Sequence, residues 1–287
     1  MSSPNVFDSS KAYAPQEKVY VSDGREIELL NFVYSQSNLN ELRGSPEKVL
    51  ATIDEFARTR RYLMNVGEYK GRIVTDLITE MKPKIMVELG GYIGYSAILF
   101  SNAVKHAGGE KYLSLERSPE FAAITSSLID LAGLGDFAKV IVGSCNDSIN
   151  RLYAEGQLSR IDLLFLDHHK PAYLPDLKLC EQLGLIQPKC VLAADNVIKP
   201  GNPPYLAYVR SSADEKRYPA TRGNEGSEFD TKTAHRYKER SEAEAEAADA
   251  GIHGDPTLVY ESELISSFEP TGIPDGIEIT RCIGRVV

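Results

Sequence analysis

The spacing of apolar positions changes several times along the chain, and each change predicts a different element. Ser45-Pro46-Glu47 reads as a helix start, a hydroxyl cap followed by proline at the first helical position, and apolar residues then recur at helical spacing to Leu63. A second helical stretch runs from Glu68 to Met81. Short apolar runs of the buried parallel-strand type follow: IMVEL at 85–89, YLSLE at 112–116, KVIVG at 139–143, DLLFLD at 162–167 and VLAAD at 191–195. Helical patterns separate them. Ser118-Pro119-Glu120 repeats the capped start and continues to Leu131, and Asn146 to Tyr153 and Leu174 to Leu185 fit further helices. LVYESELI and IEITRCIGRVV then read as two last strands, a hairpin-like pair closing one edge. Strand alternating with helix predicts an α/β fold with a doubly wound, mostly parallel sheet, seven strands in all.

Two regions fall outside this rhythm. Residues 1–40 are polar apart from the amphipathic piece Glu26 to Tyr34, and read as an extension that packs loosely or mediates self-contact. Residues from about 213 to 256 are rich in Glu, Asp, Lys, Arg and Ala without a sustained apolar face; ERSEAEAEAADAG fits an exposed helix or a solvated loop. The expected organisation is an extension over 1–40 and a single domain over 41–287 carrying that acidic insert. There are no internal repeats.

Composition narrows the function. With 42% apolar and 25% charged residues among 287, the chain has the make-up of a folded globular protein. A net charge of −9 repels nucleic acid and anionic membrane, so small-molecule partners are expected. No run approaches the 18 or so apolar residues of a membrane span, and the polar start lacks a signal-peptide pattern, so a cytoplasmic location is expected. The four cysteines, Cys145, Cys180, Cys190 and Cys282, are scattered without metal-ligand spacing and predict thiols rather than a disulfide framework. Nothing in the sequence speaks to the oligomeric state.

In an open α/β sheet, ligands gather beyond the carboxyl ends of the strands. The turn after the first strand reads Glu88-Leu89-Gly90-Gly91-Tyr92-Ile93-Gly94-Tyr95-Ser96. Its glycines allow tight turning and close backbone approach, but the spacing is not G-x-G-x-x-G, which argues against a nicotinamide dinucleotide. Glu116 ends the second strand, where an acid can accept hydrogen bonds from both ribose hydroxyls of an adenosine-containing ligand. A plain tight turn with a surface acid fits the same residues. The fourth and fifth strands end in Asp167-His168-His169-Lys170 and Asp195-Asn196. Three hard oxygen donors at one rim suit a divalent cation, magnesium by default, although each acid alone could instead cap a helix. Zinc is disfavoured because no cysteine or third histidine stands at compatible spacing.

MNVGEYKG, VELGGYIGYSA, FLDHHKPAYLPD and LAADNVIKPG resemble, in order and nearly in spacing, the signature stretches of the catechol O-methyltransferase family. The resemblance covers about residues 45–212 and again 257–282. It implies the Rossmann-like methyltransferase fold, with an antiparallel last strand, and methyl transfer from S-adenosylmethionine to a catechol-like hydroxyl with Mg2+. Carried onto this chain, Met64, Asn65, Val66, Gly90, Tyr92, Ser96, Glu116, Cys145, Asn146, Asp167 and His168 stand at cofactor-binding positions. Asp167, Asp195 and Asn196 stand as metal ligands, Lys170 as general base and Glu269 as a second contact to the substrate hydroxyls. The family's two wall tryptophans are absent; Tyr62 and His169 occupy those positions, with Pro200 and Phe268 as further walls. Two other readings share these residues: a methyltransferase for larger phenolics such as caffeoyl conjugates, and a catalytically retired binding protein.

Overall fold

The computed structural model describes residues 6–217 and 251–286. Most of the acidic insert therefore lies outside the described residues. The chain divides into two compact units, Met1–Ser144 with Ser266–Asp275, and Cys145–Ile265 with Gly276–Val287.

The first unit opens with helices α1 (Arg25–Tyr34), α2 (Leu39–Leu42), α3 (Pro46–Thr59) and α4 (Gly67–Met81). It continues through β1 (Ile85–Leu89), α5 (Tyr95–His106), β2 (Lys111–Glu116), α6 (Pro119–Leu131) and β3 (Ala138–Val142). α3 shows why these segments are helical: Val49, Leu50, Ile53, Phe56 and Ala57 fall on one face and are buried together. Each large side chain so buried contributes on the order of 1.5–3 kcal/mol. Ser118 caps α6 as expected, accepting from the Phe121 amide at 3.3 Å. Ser45 does not: α3 starts after it with no side-chain cap bond.

The N-terminal segment also departs from expectation. Tyr13 is buried, its hydroxyl on the Asp54 carboxylate, its amide on the Pro270 carbonyl at 2.9 Å. The next amide, of Ala14, reaches the Ala57 carbonyl at 2.9 Å. Leu29 and Val33 of α1 are fully buried. The stretch before α1, held by one aromatic anchor and backbone bonds, leaves no periodic trace in its sequence, which is why it read as loose.

The second unit holds α7 (Cys145–Ala154), β4 (Ile161–Leu166), α8 (Tyr173–Gln182), β5 (Ile186–Ala194), α9 (Pro203–Val209) and α10 (Ala213–Arg217). The last strands are β6 (Leu258–Phe268) and β7 (Pro274–Arg285), joined by a short turn. The seven strands form one sheet in the order β3-β2-β1-β4-β5-β7-β6. β1 pairs β2, β2 pairs β3 and β4 pairs β5, all in parallel, whereas β7 runs antiparallel to β5. This is the doubly wound sheet the sequence predicts, with the last strand reversed. The central strands are buried along nearly their whole length, so they appear in the sequence as unbroken apolar runs. No helix among the described residues is long and apolar enough to cross a membrane.

Candidate active site

In the first unit, the turn leaving β1 has three left-handed residues in five: Gly90 at φ 93°, Tyr92 at 45° and Gly94 at 89°. Glycine takes such angles freely, tyrosine does not, so Tyr92 must be held from outside. Its amide donates to Glu116 Oε2 at 2.8 Å, its carbonyl accepts from Thr125 Oγ1 at 2.8 Å, and its hydroxyl donates to Glu26 Oε1 at 3.1 Å. A Cβ on Gly91 would stand 2.5 Å from Ser114 Oγ, so the backbone is pressed against β2 there. Glu116 is 8% exposed and takes the Ser118 amide on Oε1 at 2.7 Å. Burial raises its carboxyl above the ordinary range, and the amides of Ser118 and Tyr92 pull it part of the way back. The predicted ribose acceptor thus also fixes the turn.

Ser96 lies buried in the first turn of α5. Met64, Asn65 and Val66 lead into α4, the last two buried. Asn65 Nδ2 reaches Tyr13 Oη at 3.4 Å, while its Oδ1 is buried without a protein partner among the described residues. An orphaned buried acceptor costs free energy unless something donates to it.

In the second unit, β4 and β5 end side by side: Leu166 pairs with Ala194, and the Asp195 amide donates to the Leu166 carbonyl at 2.9 Å. Asp167 and Asp195 therefore leave neighbouring strands together. Asp195 is 2% exposed and its Oδ1 accepts from the Asn196 amide at 2.7 Å; Asn196 itself is left-handed at φ 58°. Lys170, in a short turn before α8, places Nζ 2.9 Å from Asp167 Oδ1 and 2.8 Å from the Tyr173 hydroxyl. That hydroxyl donates on to the Asp195 carbonyl at 3.1 Å. The Lys170 carbonyl is tied to Asn202 Nδ2 at 2.7 Å. Metal-ligand and base candidates thus share one hydrogen-bonded group.

His168 Nε2 meets Asp176 Oδ2 at 3.0 Å, and its ring stacks on Tyr173 with centroids 4.9 Å apart. Cys145 and Asn146 begin α7, both half-buried, and Asn146 accepts from Asn150 Nδ2 at 3.1 Å. His169 and Pro200 are likewise half-buried in this unit.

The remaining candidates belong to the first unit. Glu269 sits in the turn before β7 and is gripped by Lys70 Nζ at 2.8 Å; Lys70 is fully buried and also reaches Asp275 Oδ2 at 2.9 Å. Phe268 packs on Phe7 and Tyr69, with centroids 5.6 and 6.1 Å away. Tyr62 is only 7% exposed and packs edge-on against Tyr20, with its carbonyl on Arg25. The two wall residues of this unit therefore belong to separate aromatic groups.

The O-methyltransferase family model matches residues 42–206, more than half the chain. Bovine catechol O-methyltransferase is 37% identical over 199 residues, 69% of this chain and 71% of the bovine one. This chain belongs to the catechol O-methyltransferase family. Mouse catechol O-methyltransferase is 42% identical over 170 residues, which span 59% of this chain and 63% of the mouse protein, somewhat under two thirds. A human transmembrane O-methyltransferase is 38% identical over 189 residues, 66% of this chain and 64% of its own length. Among solved structures, an O-methyltransferase from Bacillus cereus in complex with SAH aligns with TM-score 0.52 at 19% identity, covering 90% of this chain and 97% of that one. TomG from Streptomyces achromogenes, in complex with SAM, gives 0.51 at 18%, covering 91% and 96%. At those identities the likeness is one of fold.

Membership leaves several neighbours of the family positions unread by sequence. Tyr173 and Asp176 stood in view in FLDHHKPAYLPD, six and nine residues past Asp167, and the successive three-residue steps from Lys170 to Tyr173 and from Tyr173 to Asp176 were the available signal. Lys70 and Asn202 act through partners far along the chain and gave none.

Proposed function

We propose that this chain transfers a methyl group from S-adenosylmethionine to one hydroxyl of a catechol-like small molecule, with Mg2+ at the tips of β4 and β5. The observation that carries this reading is the joint departure of Asp167 and Asp195-Asn196 from two hydrogen-bonded strands, with Lys170 Nζ 2.9 Å from Asp167. Two carboxylates and an amide oxygen are the donor set a hard dication prefers, so the residues fit the metal. Asp167, Asp195 and Asn196 would hold it, and when bound it would stabilise the substrate oxyanion.

The cofactor positions fit as well, since Asn65 offers a buried acceptor without a protein donor. Met64, Asn65, Val66, Gly90, Tyr92, Ser96, Glu116, Cys145, Asn146, Asp167 and His168 would hold S-adenosylmethionine, which supplies a methyl already activated as a sulfonium. Lys170 takes the substrate hydroxyl proton at Nζ, and the Tyr173 hydroxyl keeps that nitrogen aimed. Glu269, steadied by Lys70, accepts from the second hydroxyl. Tyr62, His169, Pro200 and Phe268 line the ring. Such positioning can be worth on the order of 7–11 kcal/mol of barrier.

Labelled methyl transfer to a small catechol, with and without magnesium, tests the proposal. Asp195→Ala, at a metal-ligand position outside the cofactor set, is expected to abolish metal-dependent turnover while retaining cofactor affinity by calorimetry. Turnover of that variant at the parent rate in chelator would remove the metal assignment. Preference for a caffeoyl thioester in the same assay would move the substrate class to larger phenolics.

A further inference from the structure

Cys145, His168 and Asp176 come from three elements of the second unit: the first residue of α7, the segment leaving β4, and the first turn of α8. Sulfur, ring nitrogen and carboxylate oxygen lie within 4.8 Å of one another. From these three donors we propose a binding site for a thiophilic divalent cation of the zinc class, occupied in competition with S-adenosylmethionine. The competition rests on the cofactor role proposed above for Cys145 and His168; the cation site does not.

The donor chemistry selects the ion. Thiolate, imidazole and carboxylate together are a zinc set, and the thiolate discriminates against magnesium. A tetrahedral zinc spaces its ligand atoms about 3.3–3.8 Å apart. His168 Nε2 and Asp176 Oδ2 stand at 3.0 Å, so the cation would replace the proton between them, and the sulfur must close by on the order of an ångström.

The site is also built. Asp176 is 4% exposed, and the His168 side chain is 9% exposed and held flat against the fully buried ring of Tyr173. His168 Nδ1 is buried with no partner among the described residues, so the ring presents one nitrogen to a carboxylate and holds another undischarged. At the start of α7, the amino end of a ten-residue helix favours a negatively charged ligand atom. Zinc is disfavoured in the sequence because no cysteine or third histidine stands at compatible spacing from His168 and His169; folding brings Cys145 to His168. Loading shifts the imidazole proton of His168 from Nε2 to Nδ1, releases the thiol proton to solvent and forms the metal–nitrogen and metal–sulfur bonds, with no redox change. A cation so placed would occupy two groups that the cofactor needs.

Cobalt, a spectroscopic stand-in for zinc, tests this on the full chain in excess magnesium. Co2+ is expected to give a thiolate-to-metal charge-transfer band and tetrahedral ligand-field bands, both erased by Zn2+. Cys145→Ser is expected to lose the charge-transfer band and to weaken Zn2+ binding by at least about 100-fold, and Asp176→Asn by about 10-fold or more, with unchanged far-ultraviolet dichroism. No band in the parent protein, or the same band in Cys145→Ser, overturns the site. SAH at a concentration calorimetry shows to be saturating is expected to expel cobalt. Persistence of the band there overturns the competition, while absence of any SAH binding overturns the cofactor reading and leaves the cobalt result to stand or fall by itself.

Discussion

Lys70 offers the sharpest test of how the Glu269 turn is held. Its ammonium is fully buried, 2.8 Å from Glu269 Oε1 and 2.9 Å from Asp275 Oδ2; the Asp275 side chain is also fully buried, whereas that of Glu269 is 17% exposed. Lys70→Met keeps the length and apolar stem of the side chain but removes the charge. Glu269 can turn towards water, but Asp275 cannot, so the cost falls mainly on the buried Asp275 carboxylate. Breaking a buried ion pair from one side costs about 3–5 kcal/mol. With about 2.1 cal/mol/K of unfolding entropy per residue, that is a fall in Tm of about 5–8 °C. Thermal and urea unfolding of the variant measure it. Adding Asp275→Asn removes the buried charge that has lost its lysine and is expected to recover much of the loss, a non-additivity a double-mutant cycle reads directly. Methylation kinetics supply a second readout: released from Lys70, Glu269 loses its aim, and KM for a catechol rises while KM for S-adenosylmethionine holds. A loss below about 1 kcal/mol, or strict additivity of the two substitutions, would refute the argument, because it would mean that Asp275 finds adequate solvation without the lysine.

Three further outcomes are expected. Lys170→Met should lower turnover by about 100- to 10,000-fold, the range of a positioned acid or base, with cofactor affinity retained; an unchanged pH–rate profile would reassign the base. Gly94→Ala forces a Cβ to 2.9 Å from Thr125 Cγ2 at φ 89°, so it should cost at least about 1 kcal/mol by urea unfolding and weaken S-adenosylmethionine binding, the turn being shared. Burial holds the Asp54 carboxyl above its ordinary 3.8, against the pull of the Tyr13 hydroxyl bond. The folded state therefore binds the proton more tightly than the unfolded one, and stability present below pH 3.8 is lost as pH rises from there through the raised folded value. Asp54→Asn should flatten that part of the stability–pH curve, and an identical slope in the variant would show that another group sets it.

What the sequence disclosed and what it withheld divide along a physical line. β1 and β4 were legible nearly to the residue because strands buried on both faces must be apolar throughout, and Asp167, Lys170 and Tyr173 lie close enough in sequence for one turn and one helix start to bring them together. Contacts that depend on distant returns of the chain carry no such trace. Lys70 meets Asp275 across 205 positions, and Cys145 approaches His168 only because α7 packs where it does. The proposed substrate walls show the consequence. The family resemblance puts Tyr62 and Phe268 where a ring would be bounded, yet Tyr62 is largely covered by Tyr20 and the Arg25 group, while Phe268 packs tilted against Phe7 and edge-on against Tyr69. A Cβ on Gly272 would lie 2.7 Å from the Phe7 ring, so Phe7 is wedged against the turn that carries Glu269. An N-terminal residue outside every family motif is thus packed on the turn that carries the proposed substrate contact, a feature of this chain's tertiary packing rather than of the signature it shares.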